Sequence, residues 1–131
     1  MGVTYLLDTH VLLWLLSSPD RVREAVRLQL ADRRNKVLVS AASAMEISTK
    51  TRLGKLAGEA LIATWAARLA DMGCDELEIR SQHALLAGGL SWKNRDPFDR
   101  LLVAQAISDN LTLVSSDSLM TEVVGLKLLT P

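Results

Sequence analysis

The chain has 131 residues, a length that suits one domain with an ordinary buried core, and we expect a single domain over residues 1–131. Hydrophobic residues make up 49% of it and charged residues 23%, a composition that excludes a disordered protein. Fifteen Lys and Arg balance fifteen Asp and Glu, which excludes an indiscriminate polycation but not a nucleic-acid enzyme whose basic residues line one groove.

Short apolar runs alternate with segments of helical spacing along the chain. In the first half, the pattern predicts a strand over Val3–Leu7, a helix from Ser18-Pro19 that carries Val22, Val26 and Leu30, a strand over Val37–Val39, and a helix from Ser40 or Ser43 to about Leu53 that stops at Gly54. In the second half, it predicts a helix with Leu61, Trp65 and Leu69 that ends at Gly73, a strand over Leu77–Ile79, a helix from Asp96-Pro97 to Asn110, and strands over Leu111–Val114 and Leu126–Leu129. This alternation indicates an α/β domain with a mainly parallel sheet.

The cysteine content and the apolar N-terminal run bear on location. Cys74 is the one cysteine, so an internal disulfide or a multi-cysteine zinc site is excluded, and a reducing cytoplasm suits the protein. The run from Tyr5 to Leu16 is too short to span a bilayer and carries Asp8 and His10. We therefore expect a cytoplasmic protein without a membrane segment.

Four acidic residues stand out by their position relative to the predicted strands. Asp8 directly follows the first strand, Glu46 lies two turns into the helix after the second strand, and Asp117 follows the fourth strand. In an open parallel sheet, ligands bind outside the carboxyl ends of the strands, so these three acids are expected near one another. Asp99 lies in the first turn of the helix before the fourth strand, and sequence position alone does not bring it to the others.

Each acid also has a purely structural interpretation. Asp8 and Asp117 can cap the helices that follow them, and Glu46 and Asp99 stand three residues after Ser43 and Asp96, as in a capping box. If all four converge, however, each pair about 4 Å apart repels by roughly 4 kcal/mol at an effective dielectric constant near 20. A divalent cation would then be required, and oxygen-only ligands favour Mg²⁺ or Mn²⁺.

Four segments, in order along the chain, resemble the motifs of the PIN-domain family and, within it, of the VapC-type toxins of prokaryotic toxin–antitoxin pairs. They are Leu6–Trp14, Ser40–Ile47 with Lys50 and Gly54-Lys55-Leu56, Asp96–Ala106, and Leu113–Asp117. The resemblance implies a five-stranded parallel sheet sandwiched between helices and a Mg²⁺- or Mn²⁺-dependent endoribonuclease. It further implies a cognate VapB-like antitoxin and a homodimer. The chain departs from many relatives at Lys93-Asn94-Arg95, where they carry histidine.

The resemblance also suggests roles for individual residues. We expect Asp8 and Asp99 to ligate the metal, with Glu46 and Asp117 holding it or its waters. Thr9, Ser116 and Asp96 are candidates for supporting contacts. Helix capping or turn formation explains Thr9 and Ser116 at least as well, and Asp96 is better placed as an N-cap than as a ligand. The basic residues expected to attract the phosphates of RNA are Lys50, Arg52, Lys55, Lys93, Arg95 and Arg100.

Three other side chains have less specific expectations. His10 lies two residues after Asp8, and a packing or interface role is favoured over metal ligation. His83 is expected to be a solvated residue on a helix. Trp92 is the one aromatic residue considered for contact with a base, but packing is favoured.

Four other functions compete with this interpretation. A phosphatase of the haloacid-dehalogenase kind would need an acid where His10 stands, and a receiver domain would need one at Ile79-Arg80-Ser81, so both are disfavoured. A non-catalytic binding module that acts through a protein partner stays open, although all four acids are present. A DNA-acting nuclease of the same fold also stays open, because an acid–metal centre can cleave either backbone.

Overall fold

The computed structural model describes residues 2–131. Its five strands are β1 (Thr4–Leu7), β2 (Lys36–Ser40), β3 (Asp75–Leu77), β4 (Thr112–Val114) and β5 (Lys127–Leu129). Its seven α-helices are α1 (Thr9–Ser17), α2 (Glu24–Ala31), α3 (Ala41–Arg52), α4 (Glu59–Ala63), α5 (Trp65–Asp71), α6 (Ser81–Gly89) and α7 (Pro97–Ser108). Two 3₁₀ turns lie at Pro19–Arg21 and Ser118–Glu122.

The strands form one sheet in the order β3-β2-β1-β4-β5, and every neighbouring pair is parallel. The predicted α/β fold with a five-stranded parallel sheet is therefore confirmed. The chain leaves β1 towards β2 and β3 on one side and returns to β4 and β5 on the other. The strand order thus reverses between β1 and β4, which is the place where open α/β sheets bind ligands.

Both faces of the sheet are covered by helices because its strands are apolar on both sides. Leu7 and Val39 lie on one face, where the buried core includes Val11 of α1 and Val26 of α2. The other face carries Leu6 and Leu113, packed with Leu102 and Val103 of α7. Successive residues of β1 point to opposite faces, as the two-residue period of a strand requires.

The predicted third strand was placed two residues too late. The structure has β3 at Asp75–Leu77, where Asp75 pairs with Leu38. β3 is an edge strand and its first two residues are exposed, so it lacks the apolar run by which a buried strand is recognised.

Two predicted helices are each broken in two. The helix expected from Ser18-Pro19 ends as a 3₁₀ turn at Arg21, and α2 begins at Glu24, because Val22 and Arg23 have extended backbone angles. The helix expected to carry Leu61, Trp65 and Leu69 is interrupted at Thr64. The Thr64 hydroxyl donates to the carbonyl of Ala60 at 2.7 Å, a local bond that competes with regular helix geometry.

The predicted helix stops agree with the structure. Gly54 and Gly73 have φ values of +74° and +72°, the left-handed conformation that glycine adopts without steric cost. Asn110, which follows α7, also has a positive φ of 57°. Of the two serines considered as the cap of α3, Ser40 is the one that accepts from a backbone N–H, that of Ala42.

The prediction for His83 is wrong. This residue lies on α6 and is only 1% exposed. Its Nδ1 accepts from the N–H of Arg80 at 2.9 Å, and its Nε2 lies 3.1 Å from Asp109 Oδ1. His83 therefore links the start of α6 to the end of α7. The sequence does not reveal this link, because His83 and Asp109 are 26 residues apart. Across residues 2–131, no helix combines the length and apolar character needed to cross a bilayer.

Candidate active site

A cavity of about 410 Å³ opens beside the switch point of the sheet. It is lined by Asp8, Thr9, His10, Leu13, Glu46, Ile47, Lys50, Lys55, Leu56, Asp96, Asp99 and Asp117. All four of the acids singled out in the sequence are on its wall, and Asp96 is a fifth. Asp99, the acid that sequence position could not place, reaches the cavity because α7 packs along α3.

Asp8 is held at the end of β1 by three neighbours. Its Oδ1 accepts from the N–H of Thr9 at 2.7 Å, so Asp8 also caps α1. Its Oδ2 accepts from the hydroxyl of Ser115 at 2.6 Å and lies 3.4 Å from Nδ1 of His10. Burial raises the pKa of Asp8, while the bond from Ser115 and the nearby His10 act in the opposite direction.

Ser115 contacts two of the cavity acids and was not singled out from the sequence. Besides donating to Asp8, its Oγ accepts from the N–H of Asp117 at 3.1 Å. The signal was available, because Ser115 directly follows β4 as Asp8 directly follows β1, and Leu7 pairs with Val114. The candidate chosen instead, Ser116, contacts Nε2 of His10 through its hydroxyl at 2.8 Å.

Asp99 lies in the first turn of α7, beneath the cap formed by Asp96. The carboxylate of Asp96 accepts from the N–H groups of Phe98 and Asp99, so the predicted capping role of Asp96 is confirmed. Burial, together with the charges of Asp96, Asp8 and Asp117, raises the pKa of Asp99 to about 6, although the hydrogen bond from Asn94 acts in the opposite direction.

Asn94, a second residue that the analysis missed, supports this turn. Its Nδ2 donates to Asp99 Oδ2 at 3.0 Å, and its Oδ1 accepts from the N–H of Asp96 at 3.0 Å. Asn94 thus takes the place that the Asp99 carboxylate would fill in a capping box. The oxygens of Asp99 are therefore available to the cavity apart from the bond to Asn94.

Glu46 is the one acidic residue of α3 and is buried, with an exposed fraction of 7%. The ammonium of Lys50 lies 2.6 Å from its Oε2, whereas its Oε1 is buried without a hydrogen-bond partner. Because Ser40 caps α3, Glu46 lies beyond the first turn and the capping-box interpretation is excluded. Thr9 donates its hydroxyl to Ser43 Oγ at 2.9 Å, which links α1 to α3 and leaves no Thr9 proton for a carboxylate.

Asp117 completes the cavity from the β4 side. It is half-buried, and its Oδ1 accepts from the N–H of Leu119 at 3.0 Å, so it caps the 3₁₀ turn at Ser118–Glu122. Within residues 2–131, its other carboxylate oxygen accepts no hydrogen bond. Asp8 and Asp117 therefore cap helical turns and line the cavity at the same time, and neither interpretation excludes the other.

The donor set fits a hard divalent cation. Five carboxylates line one cavity, and a buried oxygen of Glu46 has no partner, which costs free energy unless a cation or donor reaches it. Oxygen ligands of this kind suit Mg²⁺ or Mn²⁺. Within residues 2–131, no three acidic, histidine or cysteine side chains already stand at coordination spacing, so the carboxylates would have to reorient to hold an ion.

The basic residues divide into two groups. Lys50 and Lys55 line the cavity, whereas Arg52, Lys93, Arg95 and Arg100 are not part of its wall. Lys93 is paired with Glu122 at 3.2 Å. The guanidinium of Arg100, which we expected to attract phosphate, instead donates to four backbone carbonyls at 2.7–2.9 Å: those of Ala87, Leu90, Trp92 and Asn94. Arg100 therefore fastens the α6–α7 loop to α7.

Trp92 belongs to this loop and packs against the core on the β1–β4 face. Its Nε1 is buried without a hydrogen-bond partner, so its ring faces the protein and not a cavity open to a base. Packing, the favoured interpretation from sequence, is what the structure has.

Solved structures of similar fold include VapBC2 from Rickettsia felis bound to a DNA fragment from its promoter, with a TM-score of 0.70 and 18% identity over 97% of this chain and 98% of that one. DNA-bound VapBC from Salmonella typhimurium gives 0.69 and 19% over 97% of both chains. A toxin–antitoxin complex from Klebsiella pneumoniae gives 0.66 and 18% over 96% of both. Because the sequence identities are only 18–19%, these structural similarities establish the fold of this chain and no more.

Comparison with curated proteins gave no match. The model of the PIN domain family matches residues 5–126. This range contains β2, β3, β4 and all of β1 except Thr4, and it includes all five acids of the cavity. The sequence resemblance to this family is confirmed, and the chain belongs to the PIN domain family.

Proposed function

We propose that this protein is a metal-dependent endoribonuclease and the toxin of a VapBC-type toxin–antitoxin pair. The observation that carries the proposal is the meeting of Asp8, Glu46, Asp99 and Asp117 at one cavity, with a buried oxygen of Glu46 left without a partner. Membership of the PIN domain family supports nuclease activity, because members of this family act as hydrolases on nucleic acids. The reaction is hydrolysis of RNA phosphodiester bonds.

The cofactor we propose is Mg²⁺ or Mn²⁺. Asp8 and Asp99 would hold the ion directly, and Glu46 and Asp117 would hold it or its waters. When bound, such an ion lowers the pKa of a coordinated water and stabilises charge on phosphate oxygens. The protein's own contribution is to fix the carboxylates: Ser115 orients Asp8, and Asn94 orients Asp99. Lys50 and Lys55 on the cavity wall would attract the phosphates of the substrate.

A VapB-like antitoxin is the partner we propose, and a homodimer is the proposed assembly. Part of the support is that solved structures of similar fold are VapBC and toxin–antitoxin complexes. The chain also carries an apolar groove of about 260 Å³ beside α3, lined by Ala44, Ile47, Ser48, Ile62 and Trp65. Met45 next to it is 65% exposed. Exposed apolar surface of this kind is typical of a protein-binding site. A cytoplasmic location stays part of the proposal.

The second candidate is a non-catalytic module of the same fold that acts through its partner. The cavity disfavours it, since a domain without a cation gains nothing from five adjacent carboxylates that repel one another. A DNA-acting nuclease of the same fold is the third candidate. It differs from the proposed endoribonuclease in cleaving DNA and not RNA.

The experiment that tests the proposal is cleavage by purified protein, freed of any co-purified partner. Total RNA and single-stranded DNA would be incubated separately with Mg²⁺ or Mn²⁺, with EDTA, and with the variants Asp8→Asn and Asp99→Asn. We expect discrete RNA fragments that require both the metal and the two carboxylates. Cleavage of DNA alone would favour the DNA-acting enzyme. Full activity in either variant would overturn the site assignment.

A further inference from the structure

Lys50 is placed to act as the internal counter-ion of Glu46. The two residues are one turn apart on α3, and the Lys50 ammonium lies 2.6 Å from Glu46 Oε2. The Glu46 side chain is only 9% exposed, and a buried carboxylate is costly unless a positive charge or hydrogen-bond donors compensate it. Since Oε1 has no partner, Lys50 supplies the only compensation that the residues 2–131 give to this carboxylate.

The environment of Lys50 extends beyond Glu46. Its side chain lines the same cavity as the other acids, and the pKa of Lys50 is raised, first by the bond to Glu46 and further by the charges of Asp96 and Asp99. The ammonium thus sits in the negative field into which a divalent cation would bind. A divalent ion held by both oxygens of Glu46 would lie beside the Lys50 ammonium, which is 2.6 Å from Oε2, and the two cations would repel each other.

Lys50 is also free to leave. Its side chain is 49% exposed, and lysine carries its charge on a long flexible stem that can keep the ammonium in water. Moving the ammonium away from Glu46 breaks no other hydrogen bond, because the bond to Glu46 is the one that it makes within the described part of the chain.

We propose that Lys50 is the resident counter-cation of the metal-free site, which a divalent ion must displace from Glu46 in order to bind. This inference rests on the proposed function, because it takes the acidic cavity to be the metal site. Its consequence is that the protein lowers its own affinity for metal: the ammonium stabilises the metal-free carboxylates and competes with the ion that would replace it.

Lys55 provides a matched control. It lines the same cavity and carries the same charge, but it is exposed and forms no ion pair within residues 2–131. Lys50→Met and Lys55→Met therefore remove the same charge from the same cavity, and only the first removes a counter-ion in contact with a buried carboxylate. Lys50→Arg keeps the charge and tests whether shape alone matters.

The experiment is a calorimetric titration of the full-length protein with MgCl₂ after EDTA treatment and dialysis. We expect Lys50→Met to bind Mg²⁺ about fivefold more tightly than the wild type, which corresponds to about 1 kcal/mol. Lys55→Met should change the affinity by less than about twofold, the scale of an exposed, screened charge. Lys50→Arg should resemble the wild type.

A second measurement separates competition from damage to the fold. In EDTA, Lys50→Met should unfold at lower urea than Lys55→Met, and saturating Mg²⁺ should restore it towards the wild type. If Lys50→Met does not fold without metal, folding that is restored by Mg²⁺ at concentrations below the wild-type Kd supports the inference, and no folding at such concentrations overturns it.

The outcomes distinguish this inference from the proposed function. A wild-type protein that binds no Mg²⁺ would overturn both. A wild-type protein that binds Mg²⁺, with a Lys50→Met affinity equal to or weaker than that of Lys55→Met, would overturn the counter-cation role alone and leave the metal site standing.

Discussion

The hydroxyl of Ser115 donates a 2.6 Å hydrogen bond to Asp8 across the junction of β1 and β4, although 107 residues separate the two in sequence. Ser115 Oγ also accepts from the N–H of Asp117, so one side chain connects two of the four acids of the cavity. Asp8 and Ser115 are both buried. Their hydrogen bond lies where β1 and β4 end, at the point where the strand order reverses. The position of Asp8 is thereby fixed by the sheet and not by a flexible loop.

Ser115→Ala is expected to lower the free energy of unfolding by about 1–3 kcal/mol, because a buried carboxylate oxygen and the Asp117 N–H both lose their partner. Urea unfolding in EDTA would measure the change. Ser116→Ala, at an exposed neighbouring position, is the control and should change the stability by less than about 0.5 kcal/mol. Equal effects of the two substitutions would show that the bond to Asp8 contributes nothing to stability.

The raised pKa of Asp99 predicts how the stability of the metal-free protein depends on pH. Burial raises this pKa from 3.8 to about 6, so the folded state holds the proton more tightly than the unfolded state does. The ionised Asp99 therefore costs stability: the cost is absent below pH 3.8, grows between pH 3.8 and 6, and is complete above pH 6. Asp99→Asn should accordingly raise the melting temperature in EDTA at pH 7.5 and leave it nearly unchanged at pH 4.

Thermal melts of both proteins across this pH range would check the prediction, with Asp20→Asn as an exposed control. Mg²⁺ should then raise the melting temperature of the wild type more than that of Asp99→Asn at pH 7.5. A wild type that is as stable at pH 7.5 as Asp99→Asn would contradict the electrostatic cost assigned to Asp99.

Arg100 is expected to matter for stability and not for contact with RNA phosphates. Arg100→Met leaves four carbonyl groups without their donor and should lower the free energy of unfolding by at least about 2 kcal/mol. Arg95→Met, which removes an exposed charge from the same loop, should have little effect on stability. If Arg100→Met and Arg95→Met had the same free energy of unfolding, the hydrogen bonds from the Arg100 guanidinium to the loop would not stabilise the fold.

His83 gives a prediction outside the cavity. Because its Nδ1 accepts from the N–H of Arg80 and its Nε2 faces Asp109, His83→Leu should remove both the cap of α6 and the side-chain link from α6 to the end of α7. The expected cost is about 2 kcal/mol in urea unfolding, with RNA cleavage unchanged at temperatures where the variant is folded. A His83→Leu variant that is as stable as the wild type but cleaves RNA more slowly would show that His83 contributes to cleavage and not to stability.

Two of the four acids could be placed from the sequence because their positions follow directly from the strand pattern. Asp8 and Asp117 each follow a buried parallel strand, and the carboxyl ends of neighbouring parallel strands meet at one edge. Asp99 was different: it precedes its strand by a whole helix, and only the family resemblance indicated that it would reach the cavity.

The missed contacts depend on details that spacing does not encode. Ser115 and Ser116 are adjacent and chemically identical, but successive residues leaving a strand point in opposite directions, so one meets Asp8 and the other His10. Asn94 meets Asp99 from a loop whose backbone Arg100 holds through the Asn94 carbonyl, a contact that the sequence does not show. His83 was expected at the surface because its partner, Asp109, lies at the end of α7, and the sequence does not show that the two helices bring these residues together.

The central claim is that Asp8, Glu46, Asp99 and Asp117 jointly hold one divalent ion. Crystals of the wild type soaked in MnCl₂ would test it directly through anomalous scattering. The account predicts an anomalous peak in the cavity, within coordination distance of Asp8 and Asp99 and facing Glu46 and Asp117, and no such peak in crystals of Asp99→Asn. A protein that cleaves RNA with Mn²⁺ in solution but shows no peak in this cavity, or shows one only elsewhere, would contradict the account.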